Sequence, residues 1–224
     1  MMKMEEAMRK RHTVRSYLDK KLSESFIDVI NERIGLMNQK YRVSFKLVVN
    51  DSHIFCPLLR IVMAKGVKNY IVMAGNKDKT LEERIGYAGA DLMLFAQTLG
   101  LNTWWIGATF RRYRCERMVD ADRVVGIIAL GYGATQGNMH KSKETFEVSN
   151  YSGEETPAWF KAGVEAALYA PTAKNKQKFF IEGKGRKVYI RCDNGSFTGC
   201  DLGLLKYHFE LGAGKENFEW VEHL

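Results

Sequence analysis

The order of apolar and polar residues predicts two long helices in the first half of the chain. The first helix is predicted from four apolar residues at helical spacing, Phe26, Ile30, Ile34 and Met37. Ser23 stands just before them and is the predicted N-cap, because its hydroxyl can accept from the first free amides of a helix. An apolar stripe of the same period predicts a second helix over residues 81–99. Gly100 is well placed to end this helix in the left-handed conformation.

Short apolar runs between the helical segments predict strands. These runs cover residues 43–49, 69–74, 103–106, 124–130, 179–181 and 187–191. Helical spacing returns ahead of Pro171, which forces that helix to end, and again over residues 202–209, before Gly212 and Gly214. Residues 134–156 are polar and predict a long surface connection. Since helices and strands interleave throughout, the pattern predicts an α+β or α/β protein.

Composition limits the class of protein further. The chain has 224 residues, of which 46% are hydrophobic and 27% are charged. These values suit one globular domain and argue against general disorder. No apolar run approaches the roughly 18 residues that a membrane-spanning helix needs. The amino terminus has no apolar stretch behind its charges, so it does not resemble a secretory signal, and we expect a soluble cytoplasmic protein with no membrane partner.

The net charge leaves two kinds of partner open. The chain has 34 basic and 26 acidic side chains, so its formal net charge is +8. Such a charge suits a nucleic-acid partner, or a small phosphorylated ligand together with a generally basic surface. The charges are spread along the chain rather than gathered in tails, which favours the second interpretation. The densest cluster, residues 9–15, is also compatible with a solvated helix end.

Cysteines and histidines predict no metal site. The four cysteines, Cys56, Cys115, Cys192 and Cys200, are scattered, and no pair has the Cys-x-x-Cys spacing of a zinc or redox site. The five histidines share no helix-face spacing of metal ligands. Such cysteines are ordinarily small buried apolar residues, so we expect no metal.

A cationic turn near the amino terminus is the first candidate binding segment. Alternate residues of an extended chain share a face, so Arg11, Thr13 and Arg15 are expected on one side of it. Two guanidiniums and a hydroxyl suit the oxygens of a phosphate. A solvent-facing turn explains the same residues, and the segment by itself does not decide.

Two later segments also carry candidate chemistry. Residues 170–177 (Ala-Pro-Thr-Ala-Lys-Asn-Lys-Gln) offer a hydroxyl and two carboxamides, which can bind the edge of a heterocycle or a polyol chain. Residues 100–108 end in Gly107 and Ala108, where small side chains let a ligand approach the backbone amides. The alternatives are a proline-stopped helix with a polar loop and a strand whose tryptophans pack in the core.

Taken in this order, the three segments resemble the nitroreductase family of flavin mononucleotide (FMN) enzymes. Residues 11–17 (Arg-His-Thr-Val-Arg-Ser-Tyr) are similar to the opening Arg-Arg/His-Ser-x-Arg/Lys signature, which grips the flavin phosphate and ribityl chain. Residues 82–107 are similar to the helix and loop that face the flavin ring near N5. Residues 170–177 resemble Ala-Pro-Ser-x-x-Asn-x-Gln-Pro, with Thr172 for Ser and Lys178 for the last Pro.

The resemblance extends to the late part of the chain and implies a fold. Residues 201–209 resemble the Asp-x-Gly-x-x-x-x-His helix of the family. The implied fold is α+β, a three-layer α/β/α arrangement with a central, mostly antiparallel sheet.

One departure from the family pattern implies that this chain is a fused variant. In typical members the Ala-Pro-Ser-x-x-Asn segment soon follows the opening signature, and the partner subunit of a dimer presents it to the flavin. Here residues 37–50 lack it, and it occurs more than 150 residues after Arg11. We infer one domain, residues 1–224, built from two related halves, about 1–150 and about 151–224. Such a pseudo-dimer predicts a monomer with one flavin, and a homodimer is the alternative.

The resemblance implies an FMN-dependent NAD(P)H nitroreductase. A nicotinamide cofactor passes hydride to flavin N5, and a small acceptor such as a nitroaromatic or quinone then receives it. The residues implied in cofactor binding are Arg11, His12, Thr13, Arg15, Ile106, Gly107, Ala108, Pro171, Thr172, Ala173, Asn175 and Gln177. No side chain is implied as a catalytic acid or base. Trp105, Phe110 and Tyr132 are candidates for an aromatic wall where substrates stack.

Two other functions fit the same sequence. An FMN-binding protein without fast turnover would share every motif, because the motifs report binding only. A nucleic-acid binder would use the positive charge but leaves residues 171–177 unexplained, and we expect no nucleic-acid partner. The choice between NADH and NADPH is open, since the chain has no Gly-rich dinucleotide fingerprint.

Overall fold

The computed structural model describes residues 2–139, 141–150 and 156–224. The α-helices are α1 (Met4–Lys10), α2 (Glu24–Tyr41), α3 (Pro57–Val62), α4 (Leu81–Thr98), α5 (Arg112–Glu116), α6 (Ala158–Ala167) and α7 (Thr198–Ala213). The strands are β1 (Lys46–Val48), β2 (Tyr70–Gly75), β3 (Asn102–Ile106), β4 (Arg123–Gly131), β5 (Phe179–Lys184), β6 (Lys187–Cys192) and β7 (Glu219–Trp220). Single 3-10 turns cover Thr145–Glu147, Ala173–Asn175 and Lys215–Asn217.

The strands form two sheets, one in each half of the chain. The first has the order β1-β2-β4-β3, and all its neighbours are antiparallel. The second has the order β5-β6-β7, with an antiparallel and then a parallel pair. The predicted α+β class with mostly antiparallel pairing is confirmed. The strands of the two halves do not join into a single central sheet, because the helices α4 and α7 pack against each other between them.

Helices α4 and α7 cross at a pair of glycines. A Cβ atom on Gly86 of α4 would lie 2.1 Å from the carbonyl oxygen of Cys200, and one on Gly203 of α7 would lie 1.9 Å from that of Glu83. Each glycine therefore meets the residue three positions before the other glycine. This reciprocity gives the crossing of the two helices an approximate two-fold relation.

Most of the predicted elements are present, and their local signals act as expected. The Ser23 hydroxyl accepts from the amide of Phe26 at 3.3 Å, which makes it the N-cap of α2. Gly100 has a φ of 77° just beyond α4 and leads directly into β3. Gly214, with a φ of 76°, ends α7. Gly212 does not stop that helix but lies inside it, where a Cβ would come 2.4 Å from the Ala162 carbonyl oxygen.

The strand predicted over residues 43–49 is shorter than expected, because a side chain occupies part of its backbone. Asn38 donates from Nδ2 to the carbonyl oxygen of Phe45 at 3.0 Å, and its Oδ1 accepts from the amide of Phe45 at 2.8 Å. The peptide groups of Phe45 are therefore used locally, and ladder pairing begins only at Lys46.

The short helices α3 and α5 were not predicted, since neither buries a periodic face. None of the α3 residues is buried, and Cys115 is the only buried residue of α5. The predicted connection over residues 134–156 has little regular structure where it is described, apart from the turn Thr145–Glu147. Residues 140 and 151–155, and with them the predicted boundary between the halves, lie outside the described residues. Among the described helices, none has the length and apolarity needed to cross a bilayer.

Candidate functional site

The early cationic segment lies beside strand β3 as a further extended stretch. The amide of Val14 donates to the carbonyl oxygen of Thr103 at 3.2 Å, and the amide of Tyr17 donates to that of Lys65 at 2.9 Å. Val14 and Tyr17, three positions apart, are both buried, so their side chains anchor the segment to the core. These backbone contacts are compatible with the extended conformation predicted for residues 11–15.

Arg11 is the most unusual side chain of this segment. It is only 4% exposed, its Nε has no hydrogen-bond partner, and it forms no ion pair within the described part of the chain. Burial lowers the pKa of its guanidinium to about 10, and its charge helps to lower the pKa of His208 on α7. A buried cation without a counter-charge is costly. The surroundings of Arg11 therefore favour an anion.

Arg15 and Thr13 complete the predicted cationic group. Arg15 is exposed, and its guanidinium carbon lies 5.4 Å from the centre of the Trp104 ring. Burial raises the pKa of Tyr17, while the charges of Arg11 and Arg15 both act to lower it, so both lie within electrostatic reach of that phenol. Thr13 is half-buried and forms a β-bridge with Thr103.

The Pro171 turn (residues 170–177) follows α6 and is tied to the first turn of α7. Both carboxylate oxygens of Asp201 accept from the amide of Ala173, at 3.0 and 3.1 Å. Lys174, Asn175 and Gln177 have φ values of 54°, 51° and 46°. Left-handed backbone at residues other than glycine costs of order 1–3 kcal/mol each and persists only where the surroundings impose it. The turn is therefore held in a strained shape by its contacts.

The carboxamides of this turn bind the neighbouring chain. Asn175 donates from Nδ2 to the carbonyl oxygen of Lys141 at 2.8 Å, and the amide of Lys143 donates to Oε1 of Gln177 at 2.7 Å. The buried Thr172 hydroxyl accepts from the amide of Gln177 at 3.2 Å. These side chains, which the sequence predicts as ligand contacts, thus shape the turn, and Pro171 lies half-buried at its start.

One stretch of chain connects the early segment to the Pro171 turn. A Cβ on Gly137 would lie 2.8 Å from Cβ of the half-buried His12 and 2.9 Å from the carbonyl oxygen of Thr13. Lys141, which binds Asn175, is four residues further on. Four residues span at most about 14 Å. Gly137 therefore contacts the early segment, and Lys141, a short way along the same stretch, contacts the Pro171 turn.

The loop after β3 meets the Pro171 turn at the amino end of α7. Ile106 is buried, Gly107 is half-buried and Ala108 is exposed. A Cβ on Gly107 would lie 2.3 Å from a ring carbon of Phe197, the residue just before α7. Phe197 and Asp201 are one helical turn apart, about 6 Å along the axis. The loop after β3 and the Pro171 turn thus both contact the amino end of α7.

Sequence reasoning assigned no role to Phe197 or Asp201. Burial raises the pKa of Asp201 to about 6, against the opposing effect of the Ala173 amide. The motif that contains Asp201 is visible in the sequence, but its contact with Ala173 crosses 28 positions. The only local sign of Phe197 is the small residue that it covers, Gly107.

The predicted aromatic wall is spread over the site. Trp105 packs on α4, where a Cβ on Gly89 would lie 2.5 Å from its ring. The Arg112 guanidinium lies 4.9 Å from the centre of the Phe110 ring, and the Lys20 ammonium lies 4.1 Å from the centre of the Tyr132 ring. Trp105 and Phe110 flank Gly107 in sequence, whereas Tyr132 lies by the early segment.

A groove of about 650 Å³ lies elsewhere, between α2, α4 and the end of α7. Two of its three acids are paired, since Asp91 binds Arg33 at 2.6 Å and Glu210 binds Lys215 at 2.6 Å. None of the predicted cofactor residues lines it. In the part of the chain that the structure describes, no group of three or more His, Cys, Asp or Glu side chains could hold a metal ion.

Comparisons with known proteins identify the family and the fold. Residues 3–213 match the model of a protein family described as "Putative TM nitroreductase". A "putative nitroreductase" of Thermotoga maritima superposes with a TM-score of 0.74 at 22% identity, over 100% of this chain and 90% of that one. No curated protein matches the chain.

Two further solved structures share the fold over about two thirds of this chain. A "putative nitroreductase" of Desulfovibrio desulfuricans in complex with FMN has a TM-score of 0.53 at 18% identity, over 70% of this chain and 99% of that one. A "Putative NADH dehydrogenase/NAD(P)H nitroreductase" of Parabacteroides distasonis has a TM-score of 0.53 at 18% identity, over 69% and 100%.

Proposed function

Because the chain belongs to the nitroreductase family whose model it matches over residues 3–213, we propose that it is an FMN-dependent oxidoreductase. In this proposal it takes hydride from NAD(P)H and passes it to a small acceptor such as a nitroaromatic or quinone. The Desulfovibrio relative supports the choice of cofactor, since it was solved with FMN. The Parabacteroides relative supports the choice of donor through its description as an NAD(P)H nitroreductase.

The buried guanidinium of Arg11 is the observation that carries the proposal. It has no counter-charge among the described residues, and burial lowers its pKa to about 10. A phosphate would supply the missing charge and acceptor oxygens, and charge-assisted hydrogen bonds of this kind are the strong ones. Arg15 adds a second, exposed cation on the same segment. The residues present therefore fit the phosphate end of FMN.

The proposed mechanism assigns binding and orientation to the protein. When bound, FMN supplies a ring nitrogen that accepts and releases hydride. Arg11, Thr13 and Arg15 would hold the phosphate end, and the backbone of the Gly107 loop would be available to the ring end. Asp201 fixes the Pro171 turn against α7 through the Ala173 amide. No side chain of this chain is required to act as a catalytic acid or base.

The proposal includes a pseudo-dimer, in which the second half takes the place of a partner subunit. Its support is the reciprocal contact of Gly86 and Gly203 between α4 and α7, together with the position of the Pro171 turn late in the chain. Light scattering with flavin quantitation tests this arrangement. We expect a monomer with one FMN, whereas two flavins per chain or binding only by a dimer would contradict it.

Replacing Arg11 tests the cofactor site. Arg11→Ala removes a charge-assisted contact, so FMN binding should weaken by roughly 1.5–3 kcal/mol of free energy. The FMN dissociation constant should rise accordingly. The control is Arg9→Ala, which removes an exposed arginine from the last turn of α1 and should leave FMN binding unchanged. Equilibrium dialysis or flavin fluorescence measures both constants. Equal affinity in wild type and Arg11→Ala would remove Arg11 from the site.

A stopped-flow measurement separates the reductase from a flavin-binding protein without fast turnover. The FMN-loaded protein is mixed anaerobically with NADH or NADPH, and the visible flavin absorption is followed. Rapid bleaching, with recovery when a quinone or nitroaromatic is added, is the expected result. Retained FMN without bleaching would leave only the binding function.

A further inference from the structure

We propose that the lysines beside the Pro171 turn bind the phosphates of the electron donor and make NADPH the preferred donor over NADH. The lysines concerned are Lys141, Lys143, Lys174 and Lys176. This inference rests on the proposed function, because it names the donor used at the same site.

Hydrogen bonds between two distant segments bring these lysines together. Asn175 binds the carbonyl oxygen of Lys141 at 2.8 Å, and it separates Lys174 from Lys176 in the sequence. The amide of Lys143 binds Gln177 Oε1 at 2.7 Å, and its ammonium donates to the Gln177 carbonyl oxygen at 3.0 Å. Four lysines from two stretches more than 30 positions apart therefore share one surface.

Acidic side chains do not neutralise this surface. Lys141, Lys174 and Lys176 are exposed, and within the described ranges none of them has an ion-pair partner. The nearest acids in sequence, Glu144 and Glu147, are engaged by each other's backbone amides in a capping box. Both carboxylates keep their negative charge, but the four lysines outnumber them, so the patch is net positive and attracts anions.

One acid lies at the margin of the patch. Lys178, the next lysine along the turn, approaches Asp193 at 3.8 Å, and both side chains are well exposed. A contact of this kind is weak in water. It leaves the charge of the four central lysines in place.

The backbone holds the lysines in fixed positions. Lys174 and Asn175 are consecutive left-handed residues, a conformation that polar loops normally assign to glycine. The Ala173 amide just before them is bound by the carboxylate of Asp201. Strain of this kind is kept where the surroundings over-determine it, and it clusters at ligand sites. A preformed lysine pair loses less entropy on binding than a flexible one.

The chemistry of the patch matches the difference between the two donors. NADPH differs from NADH by one phosphate on the adenosine ribose, and lysine binds phosphate as a point charge. Arg11 is the cation proposed for the flavin phosphate, and it belongs to the early segment rather than to this patch. The lysines are therefore available to a second phosphorylated molecule that enters beside the Pro171 turn.

Steady-state kinetics of the FMN-loaded protein with each donor test the inference. Wild type should show a higher kcat/KM for NADPH than for NADH, and this ratio should fall as salt increases, because exposed charges are screened. Lys174→Gln/Lys176→Gln should raise KM for NADPH about five- to tenfold, since each exposed charge contact is worth up to about fivefold. KM for NADH should change less than twofold. The matched control, Lys184→Gln/Lys187→Gln, removes two exposed lysines from the β5–β6 turn and should change neither value.

The outcomes separate this inference from the proposed function. Equal kcat/KM for the two donors in wild type, or equal changes in the test and control variants, overturns the lysine site while leaving the reductase intact. A weaker FMN affinity in Lys174→Gln/Lys176→Gln, with an unchanged donor ratio, assigns the lysines to the flavin and also overturns it. Absence of oxidation of either donor by the loaded wild type removes the proposed function itself.

Discussion

Helices α4 and α7 each carry, just before their crossing glycine, a side chain that binds another segment, and these two side chains have opposite charge. Arg84 and Asp201 are equivalent, since each lies two residues before its crossing glycine. Arg84 donates from Nε to the carbonyl oxygen of Tyr41 at 2.9 Å, whereas Asp201 accepts from the amide of Ala173 at 3.0 Å. The same helix position therefore binds the end of α2 in one case and the Pro171 turn in the other, with opposite charge.

The surroundings of this pair explain why only one turn fits a ligand. Arg84 also binds both carboxylate oxygens of Asp78, at 2.9 and 2.7 Å, and so forms an ion pair with the loop that precedes α4. Asp201 has no cationic partner among the residues that the structure describes, and burial raises its pKa to about 6. The position two residues before the crossing glycine is thus an ion-paired arginine in α4 and a buried acid beside a polar turn in α7.

A second equivalent pair shows the same divergence. Gly89 and Lys206 each lie three residues after their crossing glycine. The ring of Trp105 packs directly on Gly89, whereas the Lys206 ammonium lies 5.5 Å from the centre of the Trp220 ring. The first half thus keeps a close approach of strand to helix, and the second half fills the corresponding space with a long cationic side chain.

The largest expected effect on stability comes from replacing the two glycines at the crossing of α4 and α7. Gly86→Ala and Gly203→Ala place a methyl group 2.1 and 1.9 Å from a carbonyl oxygen of the opposite helix. Each should lower the free energy of unfolding by about 3 kcal/mol or more, since the backbones must separate. Urea denaturation followed by circular dichroism measures the change. Gly35→Ala, in α2 with nothing within 4 Å of the new methyl, is the control and should stabilise slightly. Mild effects at both crossing glycines would disprove a tight crossing.

A smaller effect is expected from the buried residues that lie five positions after Gly86 and Gly203. Asp91 is paired with Arg33, whereas His208 is buried near Arg11 and its Nδ1 donates to the Leu204 carbonyl oxygen at 2.8 Å. Burial lowers the pKa of His208 to about 3, below its ordinary value of 6.5. Below pH 6.5 the unfolded chain therefore binds a proton that the folded chain does not. Stability from this group is lost as pH falls, by about 2 kcal/mol between pH 6.5 and 5.

His208→Gln tests this effect by removing the titrating ring. The difference in unfolding free energy between wild type and the variant should rise with pH over that interval. His208→Leu serves as a second variant in case the glutamine is poorly accommodated. A difference that is flat with pH for both variants would show that the histidine is not held neutral.

The smallest expected effect sharpens the contrast between Asp201 and Arg84. The pKa of Asp201 is raised from 3.8 to about 6, so the folded chain holds a proton that the unfolded chain has released. Stability from this group is present below pH 3.8 and is lost as pH rises towards 6. The stability of Asp201→Asn relative to wild type should therefore increase by about 1–2 kcal/mol from pH 4 to pH 6. Arg84→Gln should show no such slope, and a similar slope in both variants would contradict the assignment.

The fold was largely predictable because its main signals are local. The stripe that predicts residues 81–99 yields α4, and the apolar run over 124–130 lies within the buried strand β4. Helix α3 gave no such signal, since it buries none of its residues. Residues 43–45 of the predicted strand are not part of β1, because the Asn38 side chain binds the backbone of Phe45 and competes with strand pairing. Patterns of hydrophobicity do not report such competition.

The candidate site was predictable in its composition but not in its contacts. The sequence names Arg11 and the carboxamides of the Pro171 turn as binding groups. It does not reveal that Arg11 is buried without a counter-charge, or that Asn175 and Gln177 bind the chain near Lys141 and Lys143. These contacts join residues 34 positions apart, which no local pattern encodes.

The amino-acid sequence by itself determined the helices, most strands and the set of motifs, because periodicity, capping and turn preference act within a few residues. Tertiary structure alone decided which motifs meet. The crossing of α4 and α7 at Gly86 and Gly203 sets the relation of the halves. The amino end of α7 then brings Phe197 to Gly107 and Asp201 to Ala173. Such long-range contacts follow from close packing, where shape and burial select one arrangement among many that the same local elements permit.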